Sequence, residues 1–320
     1  MTTKLILDLD TGIDDALALA YALASPEVEL IGVTCTYGNV VVEQSVRNTL
    51  AILELFGRTD VPVFEGPGHA RAKDSFEVQE ISAFIHGQNG IGEVEIPDAA
   101  RQVEQTSAVD FLVDSVHKYG DELVIVPTGP STTIAAAIEA SNVFRDGAQI
   151  VMMGGALTVP GNVTAWSEAN IHQDPEATDL MFRSLRNVTM IGLDVTLQTL
   201  LTTAETTKWA ELGTAGGAFL ADITNYYIDA YKTTSPHLGG CGLHDPLAVA
   251  VAINPGIVDT LGINMKVDTE GETRGRTIGD EARLNDPDKH AAVAVRVDTT
   301  GFLQEFMHRL SVLAQATPVV

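Results

Sequence analysis

The chain has 320 residues, 45% of them hydrophobic, enough to bury a large core. Asp and Glu total 43 against 19 Lys and Arg, and the net charge of −24 sets the chain against nucleic acid and anionic membrane as partners. No membrane-length apolar run or signal-peptide pattern stands out, and Cys35 and Cys241 form no disulfide or metal pattern, so a reduced, cytoplasmic setting is expected.

The apolar run 4–8 predicts a first strand, followed by a helix over 14–24, a strand over 28–34 and a helix over 43–56. The stretch 65–99 has no regular pattern and contains Gly66-Pro67-Gly68 and His86-Gly87-Gln88-Asn89-Gly90. Alternation then resumes: helix 107–118, strand 121–126, helix 131–140, strand 148–153, helix 175–184, strand 188–193, helices 203–211 and 216–231. A second irregular stretch, 232–244, precedes a helix over 245–253, strands over 261–267 and 291–297, and a helix over 301–314. Continuous Val/Ile/Leu strands between amphipathic helices predict an α/β fold: an open, mostly parallel, Rossmann-like sheet with helices on both faces. No repeat or linker divides it, so residues 1–320 are expected to form one domain. The two irregular stretches read as walls or lids of a site, or as ordinary surface loops.

The acidic turn Asp8-Leu9-Asp10-Thr11-Gly12-Ile13-Asp14-Asp15 joins the first strand to the first helix. Open α/β sheets bind ligands at the carboxyl ends of strands. Carboxylates crowded there repel one another, and a divalent cation with a taste for hard oxygen donors, Ca²⁺ or Mg²⁺, relieves the repulsion. Attraction to the helix dipole explains Asp14 and Asp15 as well, but not Asp8 and Asp10. Other strands also end in polar residues, at Thr34 to Asn39, Thr128-Gly129, Gly154-Gly155 and Asp194. In a parallel sheet these ends share one edge, so Asp10, Asn39, Thr128 and the 154–170 loop should meet in one crevice. His244-Asp245-Pro246 opens a later helix and reads either as a proton donor beside a carboxylate or as helix capping.

Asp8-x-Asp10-x-Gly12-x-Asp14-Asp15-Ala16 resembles the amino-terminal fingerprint of the inosine–uridine-preferring nucleoside hydrolases. The resemblance continues in order through Gly38-Asn39, His86-Gly87, Thr128-Gly129-Pro130, Met153-Gly154-Gly155, Gly161-Asn162-Val163-Thr164, Glu168-x-Asn170, Asp174-Pro175-Glu176-Ala177 and His244-Asp245-Pro246. It implies the nucleoside hydrolase fold and Ca²⁺-dependent hydrolysis of the N-glycosidic bond of ribonucleosides, giving ribose and free base. It implies Asp10, Asp15, the Thr128 carbonyl and Asp245 as metal ligands. The cation is then expected to hold the ribose 2′- and 3′-hydroxyls and acidify a water, with Asp10 as general base. Asp14 and Asn39 are implied to bind the ribose hydroxyls, and Asn162, Glu168 and Asn170 the 5′ and 3′ side of the sugar. His244 is the implied general acid, with His86 near the base or the 5′ side. A negative pocket suits the oxocarbenium-like sugar of such a reaction. A homodimer or homotetramer is implied as well.

Locally, Asn162 also reads as a turn residue and Glu168 as a surface acid. Tyr227 and Tyr231, one helical turn apart, read equally as base-pocket walls or core. Two positions depart from the family pattern. Thr11 stands where Pro is frequent, and Ala169 where a bulky aromatic is common, which bears on substrate preference more than on activity. Asp8-Leu9-Asp10-Thr11 also fits a Mg²⁺ phosphatase of the haloacid-dehalogenase type, with Gly279-Asp280-Glu281 as its later acidic pair. A non-catalytic Ca²⁺ or sugar-binding protein is the third reading, and His244 argues against it.

Overall fold

The computed structural model describes residues 2–319. β1 (Thr3–Leu9) is buried from Leu5 onward, as the middle strand of a covered parallel sheet must be. It feeds α1 (Ile13–Ala24), buried along Ile13 to Ala22. β2 (Val28–Cys35), α2 (Val42–Leu55), β3 (Val63–Glu65), α3 (Glu80–His86), α4 (Ala108–Tyr119), β4 (Leu123–Pro127), α5 (Thr132–Ala140), α6 (Asn142–Gly147) and β5 (Gln149–Met153) follow. Then come α7 (Ala169–Gln173), α8 (Pro175–Ser184), β6 (Asn187–Ile191), α9 (Leu193–Thr196), β7 (Leu200–Leu201), α10 (Thr203–Ala210), α11 (Ala215–Thr234) and β8 (Cys241–Gly242). The chain closes with α12 (His244–Ile253), β9 (Val258–Ile263), β10 (Met265–Val267), β11 (Thr277–Gly279), β12 (Ala291–Val297) and α13 (Thr299–Gln315).

Eight strands form the main sheet in the order β3-β2-β1-β4-β5-β6-β12-β9. Every pairing in it is parallel except that of β12 with the edge strand β9. The order reverses between β1 and β4, which opens a crevice beyond their carboxyl ends. Helices cover both faces. Leu5, Leu7 and Leu9 of β1 join one apolar cluster with α1, α12 and α13, where Tyr21 packs on Phe302 and Phe306 at centroid distances of 6.3 and 5.6 Å. Ile6 points the other way, into a cluster with Leu112, Ile134 and Met181. Among the described residues no helix is long and apolar enough to cross a membrane.

The structure corrects several expected elements. The strand expected over 261–267 is two strands: β9 ends at Ile263, and β10 pairs instead with β11 in a separate sheet. Buried Asn264 makes the break, its amide donating to the Arg283 and Asp288 carbonyls while its oxygen accepts the His290 N–H. The stretch 65–99 contains a helix, α3, too short at seven residues to show a period. β3, with three residues, and α9, with four, escape a pattern reading for the same reason.

Candidate active site

The acidic turn sits at the crevice. Gly12 caps α1, and Asp14 and Asp15 occupy its first turn. Asp15 Oδ2 accepts the Gly12 N–H at 2.8 Å and the Asn39 amide at 3.2 Å, while its Oδ1 accepts the Thr128 hydroxyl at 2.7 Å. Asp10 Oδ2 accepts the Asn39 backbone N–H at 2.7 Å. Two glycines make room for this packing. A Cβ on Gly38 would lie 2.0 Å from Asp10 Oδ2, and one on Gly12 would lie 2.6 Å from the Asn39 amide nitrogen. Asp245, from the start of α12, completes the floor: Asp14, Asp15 and Asp245 each bring a carboxylate oxygen within 4.8 Å of the others. Asp10 stands beside this trio rather than within it.

These carboxylates are buried, and burial is the largest cause of their raised pKa values. Asp14 is pushed up to about 7, and Asp10 and Asp245 well above the usual carboxylate range, each also by neighbouring negative charge. Among the described residues, Asp10 Oδ1 and Asp14 Oδ1 have no hydrogen-bond partner. Orphaned buried oxygens are costly, and hard anionic donors converging from the turn after β1, from α1 and from α12 fit a divalent cation. Asp8 lies deeper, bonded to the Thr34 hydroxyl at 2.6 Å.

Above the floor opens a cavity of about 470 Å³. Asp14, Asn39, His86, Thr128, Asn162, Glu168, Asn170, Tyr227, Tyr231, His244 and Asp245 line it, so the structure gathers these expected site residues in one place. Asp10 and Asp15 are fully buried and do not line it. On one wall, Asn170 donates its amide to the Thr128 carbonyl at 2.6 Å, and both residues line the cavity. Glu168 is no surface acid: it caps α7, its carboxylate accepting N–H groups from Gly155, Asn170 and Ile171 at 2.9 to 3.3 Å. Asn162 is exposed and accepts the Ala169 N–H at 3.0 Å, which leaves its own amide N–H groups free.

The opposite wall is aromatic. Tyr227 donates to Asp14 Oδ2 at 3.4 Å and stacks edge-on with Tyr231 at 4.9 Å between centroids. The Tyr231 hydroxyl meets His244 Nε2 at 2.6 Å, and the Thr196 hydroxyl meets His244 Nδ1 at 2.8 Å. His86 Nδ1 accepts the Ile13 N–H at 3.1 Å, which puts any neutral-ring proton on Nε2. Burial lowers both histidines, His86 to about 3 and His244 to about 4. Both irregular stretches do form walls, one through Ile81 and Ile85 of α3, the other through Thr234, Ser235, His237 and Leu238.

Some lining groups escaped the sequence reading. Leu193 of α9 and Leu197 just after it line the cavity, as does His237 from the loop after α11. The position of Leu193 just beyond a strand end was the available signal for it. Thr11 replaces the frequent Pro by joining a buried hydroxyl cluster with Thr49 at 2.7 Å and Ser45 at 3.1 Å. Cys35 and Cys241 are buried thiols pushed up to about 12, unsuited to nucleophilic work. The phosphatase alternative fails on Asp280, which pairs with Arg183 at 3.1 Å and Arg283 at 2.7 Å just after β11, outside the cavity.

Comparison with known proteins agrees with this geometry. The family model described as inosine-uridine preferring nucleoside hydrolase matches residues 5–304. A solved purine-preferring ribonucleoside hydrolase from Gardnerella vaginalis is 65% identical, with a TM-score of 0.96 over 98% of this chain and 99% of its own. The probable uridine nucleosidase 2 of Arabidopsis thaliana is 36% identical over 96% of this chain and 97% of its own. The pyrimidine-specific ribonucleoside hydrolase RihA of Escherichia fergusonii is 32% identical over 98% of this chain and 100% of its own. The chain belongs to the inosine–uridine preferring nucleoside hydrolase family and is a hydrolase of the N-glycosidic bond of ribonucleosides.

Proposed function

We propose that this enzyme is a Ca²⁺-dependent ribonucleoside hydrolase that prefers purine nucleosides such as inosine over uridine. The observation that carries the metal is the gathering of the Asp14, Asp15 and Asp245 carboxylates at the cavity floor, with the unpartnered buried oxygen Asp10 Oδ1 beside them. The purine preference is supported by the 65% identity to a protein described as purine-preferring. The relatives described as uridine or pyrimidine enzymes stand at 36% and 32%.

Asp10, Asp15, Asp245 and the Thr128 carbonyl would hold the cation. When bound, Ca²⁺ supplies a Lewis-acidic grip on vicinal hydroxyls and makes water more acidic. Asp10 takes a proton from the attacking water as general base. Asp14 and Asn39 bind the ribose hydroxyls from the floor. A carboxylate has about four lone-pair directions, so Glu168, after accepting three N–H groups, keeps one for a sugar hydroxyl. Asn162 and Asn170 complete the 5′ and 3′ side. The ring of carboxylates stabilises the positive charge that develops on the sugar as the base leaves. His244 supplies the proton to the leaving base by way of the Tyr231 hydroxyl, and Tyr227 and Tyr231 flank that base with His86. Cytoplasmic location, a one-domain chain and a homodimer or homotetramer belong to the same reading.

Free base release from inosine and uridine, with and without chelator, tests it. Metal-dependent release with a higher kcat/KM for inosine is expected. Unchanged activity in chelator overturns the metal, and a higher kcat/KM for uridine overturns the base preference.

A further inference from the structure

The loop between β5 and α7 forms the wall of the cavity around Pro160, Gly161 and Asn162, yet it contains no helix or strand of its own. Its first residues are held one by one. Glu168 takes the Gly155 N–H, and Thr277 takes the Ala156 N–H at 2.9 Å. The next two N–H groups, of Leu157 and Thr158, go to a single side chain from another strand end. Asp194 Oδ2 accepts the Leu157 N–H at 2.9 Å, and Asp194 Oδ1 accepts the Thr158 N–H at 2.7 Å and the Thr158 hydroxyl at 2.5 Å. This carboxylate is buried and none of these partners is basic, so its charge is met by the loop itself.

Asp194 belongs to α9, a helix that also contributes to the site. Leu193 and Leu197 line the cavity, and the Thr196 hydroxyl holds His244 Nδ1. The Leu193 N–H returns to the Gly155 carbonyl at 2.9 Å, so loop and helix are tied in both directions. The geometry points to Asp194 as the positioning residue that fixes the sugar-side loop, and Asn162 with it, against the helix that anchors His244. Asp194 does not itself touch substrate on this assignment. It sets where Asn162 stands relative to the sugar, and misplacing such a group by about 1 Å costs up to about a hundredfold in rate. The inference rests on the reading of Asn162 at the 5′ side of the ribose.

The test compares inosine with 5′-deoxyinosine in the parent enzyme, in Asp194→Ala and Asp194→Asn, and in Thr158→Val at an exposed position. The parent is expected to favour inosine in kcat/KM by about tenfold, the worth of one good hydrogen bond. Asp194→Ala raises KM for inosine and brings that ratio towards one. Asp194→Asn, which keeps an acceptor oxygen, recovers part of the ratio, and Thr158→Val lowers it by less than Asp194→Ala does. Should Asp194→Ala fail to fold, the other two variants carry the comparison. A variant with a lowered melting temperature but the parental ratio means that Asp194 is merely structural, and overturns the assignment. A parent enzyme indifferent to the 5′-hydroxyl overturns the placement of Asn162 and, with it, the assignment.

Discussion

The Tyr231 hydroxyl stands 2.6 Å from Nε2 of His244, and the Thr196 hydroxyl occupies the other ring nitrogen at 2.8 Å. His244 therefore has no free edge to offer a nucleobase. Burial pushes the Tyr231 hydroxyl well above its ordinary pKa, so it stays a neutral donor. If His244 is the proposed acid, its imidazolium gives the Nε2 proton to the Tyr231 oxygen as the Tyr231 hydroxyl gives its own proton to the base, which makes the pair the unit to test.

On that reading, His244→Ala and Tyr231→Phe both slow inosine hydrolysis, by about a hundredfold or more, the usual scale of general acid catalysis. Both spare p-nitrophenyl riboside, whose leaving group departs without protonation. Steady-state rates on the two substrates decide the matter. Equal losses on both would mean that the pair holds the Asp245 loop or the sugar instead.

Asp10 is proposed both to bind metal and to accept the proton of water. Asp10→Ala should lower kcat for inosine by at least about a hundredfold. Its oxygen Oδ2 also orients the Asn39 backbone, so Asp10→Asn, which keeps an acceptor there, is the cleaner variant. Full activity in Asp10→Asn would remove Asp10 from the chemistry.

Removing the metal should lower stability as well as activity. Buried carboxylates with unpartnered oxygens repel one another, and a ligand that binds only the folded state adds about 2.7 kcal/mol at a concentration a hundred times its Kd. The melting temperature is expected to fall on chelation and to recover with Ca²⁺. A melting curve indifferent to both additions would contradict a cation at this floor.

Much of this site was legible because strand ends share an edge. Asp10, Thr128 and Gly154 lie far apart in sequence but follow neighbouring strands β1, β4 and β5, so a parallel sheet had to gather them. The Asp194 clamp was half visible: the strand end marked the residue, but nothing in the sequence showed which N–H groups it would take. Glu168 had the opposite fate. Its acid was seen, whereas its capping bonds depend on a five-residue helix, α7, too short to leave a periodic trace. Asn264 was missed because a buried side chain that binds three backbone groups can end a strand without any glycine or proline to mark it.

The last prediction concerns the sugar. Asp14 lines the cavity with an unpartnered oxygen, Oδ1, and Asn39 lines it alongside. Both are proposed to bind ribose hydroxyls, together with the cation. A site built around a hydroxyl leaves polar groups unpaired when that hydroxyl is missing, which costs about 10⁴-fold in kcat/KM. 2′-Deoxyinosine should therefore be a very poor substrate beside inosine, in kcat as well as KM, because the lost contacts are those that organise the reacting sugar. Asn39→Ala should narrow the gap between the two nucleosides, since one of the groups that senses the hydroxyl is gone. Comparable turnover of inosine and 2′-deoxyinosine by the parent enzyme would place the sugar elsewhere in the cavity and free Asp14 and Asn39 from the role assigned to them.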